Sequence, residues 1–189
     1  MRAFKDMIKF LFLVFMMIAL PLNAQTVIKG NLLTALIAIP HLGIETKIGK
    51  QNTFQVDVQA SFWKSFNLGP QQFVIIIPEF RHYFASVFNG FYAGVHIGGS
   101  AFKVQKWNYI NTDFYQEGYS LLYGGTVGYQ FKINDRFNAD LFAGGGSQQA
   151  FYKGYSLSTG IRYDEAEDFN KSGEILPYRF GIMLVYKLK

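Results

Sequence analysis

From Gln25 onward, apolar and polar side chains alternate with a period of two, which predicts β-strands with two unlike faces. Near the C-terminus, Phe180, Ile182 and Leu184 share one face, whereas Arg179 and Met183 share the other. Eight segments follow this pattern, at about 26–38, 41–49, 53–66, 73–84, 90–104, 119–133, 137–151 and 175–188. The sequence therefore predicts an all-β protein.

The composition of the second face indicates which side of each strand is enclosed. It consists of glycine, small polar residues and a nearly balanced set of acids and bases. A soluble lipocalin-like barrel would instead surround a ligand with its apolar face and carry dense charge outside. A basic side chain facing lipid costs ~2–4 kcal/mol at the bilayer midplane, so we expect these charges inside a narrow barrel. The predicted interior charge network comprises Lys29, Glu45, Lys47, Asp57, Glu79, Arg81, His96, Lys132, Asp140 and Arg179.

The connections between the segments alternate in length. Short turns at 49–52, 85–89 and 134–136 alternate with longer loops at 67–72, 105–118 and 152–174. Outer-membrane barrels show this asymmetry, with short periplasmic turns and long external loops. We therefore expect residues 25–189 to form a single eight-stranded antiparallel transmembrane up-and-down β-barrel.

The first residues have the pattern of a secretory signal. Arg2, Lys5 and Lys9 precede an apolar run over 10–22, and small residues follow up to Ala24. The run is shorter than the roughly 18 apolar residues of a membrane-spanning helix. Residues 1–24 are therefore expected to be a signal peptide cleaved after Ala24, and the mature barrel is expected in the outer membrane.

Charge and cysteine content exclude several classes of partner. The formal net charge is only +5, and the two longest loops are slightly acidic, so no basic surface for nucleic acid is expected. The chain has no cysteine, which excludes disulfides and thiolate metal sites. No cofactor and no metal site are expected.

The two longest loops contain candidate interaction residues. Aromatic side chains there could form an adhesive surface: Trp107, Tyr109, Tyr115 and Tyr155. An acidic run could hold a divalent cation or bridge through one to lipopolysaccharide: Asp164, Glu165, Glu167 and Asp168. The spacing of the acids matches no known cation loop, so a solvated loop is the favoured interpretation.

Three histidines are the candidates for acid–base chemistry. His96 could be a buried base, although an interior histidine that only donates and accepts hydrogen bonds is the favoured interpretation. His41 lies at the outer edge of its segment and His82 on the apolar face, so the two make no obvious ligand pair.

The last strand resembles the terminal assembly signal of outer-membrane proteins, on Gly181, Leu184 and Tyr186, although Lys187 to Lys189 extend beyond it. That resemblance implies recognition by the barrel-assembly machinery. The chain from Gln25 also resembles a family of small barrels of unknown function from Bacteroidota outer membranes. The pieces that carry this likeness are 29–33, 42–45, 78–81, 88–90 with 94–96, and 128–130 with 134–138. It implies an eight-stranded barrel like OmpA or OmpX and implies no activity.

The expected function is therefore non-enzymatic: a barrel with a closed polar interior that serves envelope structure or presents surface loops. Its expected partners are outer-membrane lipid and lipopolysaccharide. Two alternatives remain open, an enzyme that modifies membrane lipid in the manner of a lipid A deacylase, and a narrow ion conduit through the polar interior.

Overall fold

The computed structural model describes residues 25–65, 68–106, 109–163 and 170–188. The expected signal peptide, residues 1–24, lies outside this described part. The elements are β1 (Thr26–Asn31), α1 (Leu32–Leu36), β2 (His41–Lys47), β3 (Asn52–Lys64), β4 (Pro70–Tyr83), β5 (Gly90–Val104), β6 (Phe114–Lys132), β7 (Phe137–Ser156) and β8 (Asn170–Lys187).

The eight strands form a closed up-and-down barrel, so the predicted strand number and topology are confirmed. Each strand pairs antiparallel with its neighbours in sequence, and β1 pairs with β8 to close the ring. We call the end that carries Thr26 and the short connections at 48–51, 84–89 and 133–136 the turn end, and the opposite end the loop end. None of the helices in the described ranges is long and apolar enough to cross a membrane.

The barrel wall is apolar outside and polar inside. On β8, Phe180 is 64% exposed while Arg179 is buried, and on β3, Val58 is exposed while Asp57 is buried. Arg81 is 0% exposed. A protein that folds in water buries its large apolar side chains and leaves charges on the surface. This wall has the reverse polarity over most of its height.

Aromatic side chains form two bands on the outer wall. Near the turn end, Phe91 meets Tyr129 edge to face with ring centroids 4.6 Å apart, and Phe137 lies 5.3 Å from Tyr186. Toward the loop end, Tyr119 stacks on Phe151 at 5.2 Å, and Phe62 lies beside Trp63 at 6.2 Å. Between the two bands, exposed aliphatic side chains such as Val95 and Ile97 predominate, together with the aromatic side chains of Tyr123 and Phe180.

The first strand is shorter than predicted, because the segment 26–38 is not all strand. At Asn31 the chain leaves the ladder, and the Asn31 side chain accepts a hydrogen bond from the Leu33 amide at 3.0 Å, which starts α1. The helix ends with Ala38 at φ 57°, where the Ala38 amide donates to Ala35 and the Ile39 amide to Thr34. This is the Schellman arrangement, and Pro40 follows it.

Three later strands extend beyond their predicted limits at the loop end. β6 begins five residues before the predicted 119, β7 ends five residues after the predicted 151, and β8 begins at Asn170 rather than 175. The pairing of Tyr115 with Tyr155 continues the β6–β7 ladder there, and their rings stack at 5.6 Å. Cross-strand aromatic pairs stabilise such an extension.

The interior has three layers. At the turn end lies most of an apolar core: Val27, Tyr83, Phe88, Tyr92, Phe142, Met183 and Val185. Its member Phe142 extends into the next layer, where its ring lies 5.8 Å from the Arg179 guanidinium. Buried charges occupy the middle layer, including Lys29 and Arg81. Toward the loop end lies a cavity of about 210 Å³, whose wall includes Ile75, Ile77 and Leu122.

Candidate functional site

The middle layer is a continuous cluster of ion pairs. We call it the plug, and it consists of Lys29, Glu45, Asp57, Glu79, Arg81, Asp140 and Arg179. These residues come from β1, β2, β3, β4, β7 and β8, and each occupies an inward-facing position of its strand. All are 4% exposed or less. The sequence pattern predicted that these residues face inward, and the fold brings them into ion-pair contact.

One half of the plug surrounds Asp140. Lys29 Nζ lies 2.7 Å and Arg81 Nη1 2.9 Å from its Oδ2 oxygen. Lys29 also forms an ion pair with Glu45, and Arg81 Nη1 approaches the same Glu45 carboxylate at 3.5 Å. Two cations therefore share two carboxylates, which compensates part of the desolvation cost of burying them.

The other half of the plug surrounds Arg179. Its Nη2 lies 2.5 Å from Asp57 Oδ2 and 2.8 Å from Glu79 Oε2. Arg81 Nη2 reaches Glu79 Oε2 as well, at 3.1 Å. Glu79 therefore links the two halves, which explains why Glu79 and Arg81 stand two residues apart on the same face of β4.

Neutral polar side chains complete the plug. The Tyr83 hydroxyl bonds Glu45 at 2.9 Å and Gln130 at 2.8 Å. The Tyr92 hydroxyl donates to Asp140 Oδ1 at 2.8 Å, and the Arg81 guanidinium lies 4.4 Å from the Tyr92 ring centroid. The predicted network did not include Tyr83, although its place two residues after Arg81 puts it on the inward face.

Two histidines line the loop-end side of the plug. His96 is buried, with Nε2 at 2.7 Å from the Tyr178 hydroxyl and Nδ1 at 3.2 Å from Thr126 Oγ1. His41 has Nδ1 at 3.1 Å from Asn31 and Nε2 at 3.9 Å from Asp57. Each ring is thus engaged by structural partners, and neither is placed against a serine hydroxyl by these contacts.

Glycines give the carboxylates their room. A Cβ atom on Gly43 would collide with Asp57 Oδ1, and one on Gly94 would collide with Glu79 Oε1. Both glycines lie on strands next to those of the acids that they accommodate. Glycine at these positions therefore leaves space for the close approach of a buried carboxylate.

Three residues expected in the network lie outside the plug: His96, which borders it, and two lysines. Lys132 is the last residue of β6 and is exposed, with its ammonium 2.6 Å from Asp135 in the following turn, so its predicted interior position is wrong. The hydrogen bond from Lys132 holds the pKa of the Asp135 carboxyl below its usual value. Lys47 is half-buried near the turn end and lies within ion-pair distance of no carboxylate in the described part of the chain. In both cases the strand reaches the barrel rim, where water is available to an inward-facing lysine.

A family model of a protein of unknown function, DUF3575, matches residues 9–188. The chain belongs to the DUF3575 family. No curated protein and no solved structure matches it. The family description carries no activity.

The candidate loop residues of the DUF3575 barrel lie in strands, in a loop or outside the described residues. Tyr115 and Tyr155 lie in strands rather than loops, stacked on each other, and the Lys103 ammonium lies 4.8 Å from the Tyr115 ring centroid. Tyr109 is half-buried in the β5–β6 loop and meets Phe114 edge to face at 6.4 Å. Trp107 and the acidic residues Asp164, Glu165, Glu167 and Asp168 lie outside the described residues. Across the whole described part of the chain, no group of three or more histidine and acidic side chains could hold a metal ion.

The residues of the expected assembly signal lie on both faces of β8. Leu184 and Tyr186 point outward, whereas Gly181 is buried. A Cβ atom on Gly181 would collide with the Asn31 side chain, so this glycine serves the closure between β1 and β8 in this DUF3575 barrel.

Proposed function

We propose that the chain is a non-enzymatic outer-membrane β-barrel with a closed, ion-paired interior, which contributes to envelope structure and presents loops at the cell surface. The observation that carries the proposal is the reversed polarity of the wall, with Ile97 67% exposed outside and Arg81 0% exposed inside. A bilayer stabilises this arrangement, whereas water opposes it.

The dimensions of the wall support this proposal. A tilted membrane strand needs about 9–11 residues. Strands β3 to β8 have between 13 and 20 residues, which is enough to cross and to extend beyond the bilayer. The two aromatic bands suit the two membrane interfaces. The secretory pattern of residues 1–24 and the terminal pattern on β8 favour export and insertion by the barrel-assembly machinery of a Gram-negative cell, with lipid and lipopolysaccharide as the surrounding partners.

The two rival functions have less support. An ion conduit needs a continuous polar path, but the plug and the apolar core beneath it fill the cross-section with side chains of almost no exposure. A lipid-modifying enzyme needs a nucleophile activated by a base. The ring nitrogens of His96 face the hydroxyl groups of Tyr178 and Thr126, of which Thr126 is only 3% exposed and so is shielded from a lipid ester. Those of His41 face Asn31 and Asp57, neither of which offers a hydroxyl group.

The test begins with localisation. After expression in a Gram-negative host, we expect the mature chain to sediment with outer membranes and to migrate faster on a gel before heating than after, as a folded barrel does. Planar bilayers that contain the purified protein should show no discrete conductance. Recovery as a soluble periplasmic protein would contradict the membrane assignment, and regular single-channel steps would favour the conduit instead.

A further inference from the structure

The barrel wall has a gap at the loop end, between β3 and β8. β1 and β2 have only six and seven residues, fewer than the about 9–11 that a strand needs to cross the membrane. The β1–β8 ladder ends at the pair Asn31 and Met183. In the described part of the chain, residues 171–182 of β8 and 61–64 of β3 therefore have a strand neighbour on one edge only.

The gap is covered by α1 and residues 37–40 rather than by a ladder. No side chain of α1 is buried, and Leu36 is 83% exposed. The Asn31 side chain bonds the exposed-edge carbonyl of Phe180 at 3.3 Å, which satisfies one backbone group at the base of the gap. Unpaired strand edges are excluded from the hydrocarbon region unless other groups cover them or they line a cavity. A covering of this kind can be displaced without breaking the barrel ladder.

The loop-end cavity lies directly behind the gap. Its wall includes Thr34 and Ile37 from the covering segment and Phe180 from the edge of β8. The opposite wall has an apolar part, formed by Ile75, Ile77 and Leu122, and a polar part, formed by Ser100, Ser120 and Gln148. The cavity is thus bounded on one side by the covered gap and on the other by a wall whose apolar part suits a hydrocarbon chain.

The floor of the cavity offers hydrogen-bond donors. Arg179 lines the cavity and is 4% exposed, and its Nε and Nη1 have no hydrogen-bond partner among the residues that the structure describes. Both nitrogens lie beneath the cavity surface, with almost no accessible area. A buried guanidinium nitrogen without an acceptor is costly, so an acceptor oxygen of a ligand that displaces the side chains above them would be stabilised there. The plug already contains four carboxylates, Glu45, Asp57, Glu79 and Asp140, against three cations, Lys29, Arg81 and Arg179. A further negative charge is therefore disfavoured, and an uncharged acceptor is preferred.

We propose that this cavity binds a single-chain acyl amphiphile with an uncharged ester head, whose ester carbonyl accepts a hydrogen bond from Arg179. The cavity is about 210 Å³, smaller than the 300–1,000 Å³ of typical pockets that enclose a ligand. It therefore holds the head and the first part of the chain. The rest of the acyl chain leaves through the gap between α1 and β8, along Phe180, into the surrounding lipid. The inference rests on the proposed function, because it requires the outer wall to face a bilayer.

The test uses the protein reconstituted in phosphatidylcholine vesicles and monopalmitoylglycerol with a photoreactive diazirine in its acyl chain. After irradiation, mass spectrometry should locate the label on the gap and cavity, at Ile37, Phe180 and Leu122. Unlabelled monopalmitoylglycerol should compete with the probe, and palmitate should compete at least about tenfold less well, which is 1.4 kcal/mol. Label spread evenly over the outer wall, or stronger competition by palmitate, would overturn the proposal.

A matched pair of variants tests the cavity itself. Leu122→Trp fills it, whereas Leu121→Trp changes the neighbouring residue, which is 54% exposed on the outer wall. Labelling at Ile37 should fall about tenfold in Leu122→Trp and stay unchanged in Leu121→Trp. Equal labelling in the two variants would contradict the proposal. Should Leu122→Trp fail to fold, the competition measured on the unaltered protein decides the matter.

Protease protection of the vesicles separates the two proposals. A chain that inserts but shows no preferential label at the gap overturns only the ligand inference. A chain that does not insert overturns the proposed function and the ligand inference together.

Discussion

Arg179 on β8 and Asp57 on β3 form a buried ion pair of 2.5 Å, although 122 positions separate them in the sequence. The strands between them in the ring are the two shortest, β1 and β2. The pair thus joins β8 to β3 across the part of the wall that has the shortest strands, at the floor of the loop-end cavity.

Removal of Arg179 should be strongly destabilising. Arg179→Met leaves Asp57 buried without its principal cation, and we expect a loss of about 3–5 kcal/mol in the free energy of unfolding. Denaturant unfolding in detergent micelles, followed by tryptophan fluorescence, measures it. Lys103→Met is the control, because Lys103 and Glu117 lie 3.9 Å apart with side chains that are 41% and 53% exposed, and we expect its effect to be under about 1 kcal/mol. Equal losses in the two variants would refute a structural role for the plug.

The clearance beside Asp57 gives a second prediction. Gly43→Ala places a methyl group against Asp57 Oδ1, so we expect a loss of about 1–3 kcal/mol from overpacking. Gly30→Ala on the adjacent β1 is the control, since its Cβ atom would meet only Leu42 at an ordinary 3.7 Å. Thermal unfolding of the two proteins under the same conditions compares them. A Gly43→Ala protein as stable as the control would show that Asp57 can move without cost.

Ala38 holds a left-handed backbone conformation that favours glycine. Ala38→Gly should therefore stabilise the end of α1, by up to about 1 kcal/mol, because an L-residue at φ 57° is strained. Ala35→Gly within the same helix should have the opposite sign, with a loss of about 1 kcal/mol. Denaturant midpoints of the two variants are the measurement. Destabilisation by Ala38→Gly would argue against the Schellman ending of α1.

Asp113 connects two loop-end segments in a pH-dependent way. Its carboxylate accepts hydrogen bonds from the Ser156 hydroxyl and from the Ser158 amide and hydroxyl, at 2.9 and 2.6 Å for Ser158. These bonds hold the pKa of the Asp113 carboxyl below its usual value. The hydrogen bonds from the two serines are therefore complete at a pH above the usual aspartate pKa of about 3.9. They are lost as the pH falls through the lowered pKa of Asp113.

We accordingly expect hydrogen exchange in residues 157–161 to accelerate, relative to the turn at 48–51, which has no carboxyl group, only at acidic pH below about 3.9. Asp113→Asn removes the titrating group. In this variant, exchange in residues 157–161 relative to the reference turn, which we call the exchange ratio, should already be raised at neutral pH and should not change on acidification. An unaltered protein whose exchange ratio is constant down to the lowest pH would contradict this role of Asp113.

The alternation of residues was sufficient to predict the strand number, the topology and the face of most charges. Period two alone could not identify the end of β1, because Leu32, Leu33 and Leu36 suit a helix as well as an apolar strand face. The N-cap at Asn31 and the proline at position 40 were the signals for α1. Lys132 was misplaced for a different reason, since parity along a strand does not show where the barrel rim begins.

The partners within the plug could not be predicted. They depend on the register and stagger around the ring, and these are set by turn geometry and by the bulge between Gly144 and Gly146 on the β7–β8 ladder. The Arg179–Asp57 pair lies across strands that are not neighbours, so no local pattern indicates it. The loop-end gap between β3 and β8 exists because β1 and β2 are short. The shortness of β1 becomes evident only when its end is placed correctly at Asn31.

The most direct test of the membrane assignment uses the absence of cysteine from the chain. A single cysteine replaces Ile97, on the outer wall between the aromatic bands, or Asn134, in a turn, and carries a bimane fluorophore in phosphatidylcholine vesicles. Brominated phosphatidylcholine should quench the fluorophore at position 97 and leave that at position 134 unchanged. If the unlabelled Ile97→Cys protein instead reacts with a membrane-impermeant maleimide, and its bimane is not quenched, the outer wall faces water and the proposed function is wrong.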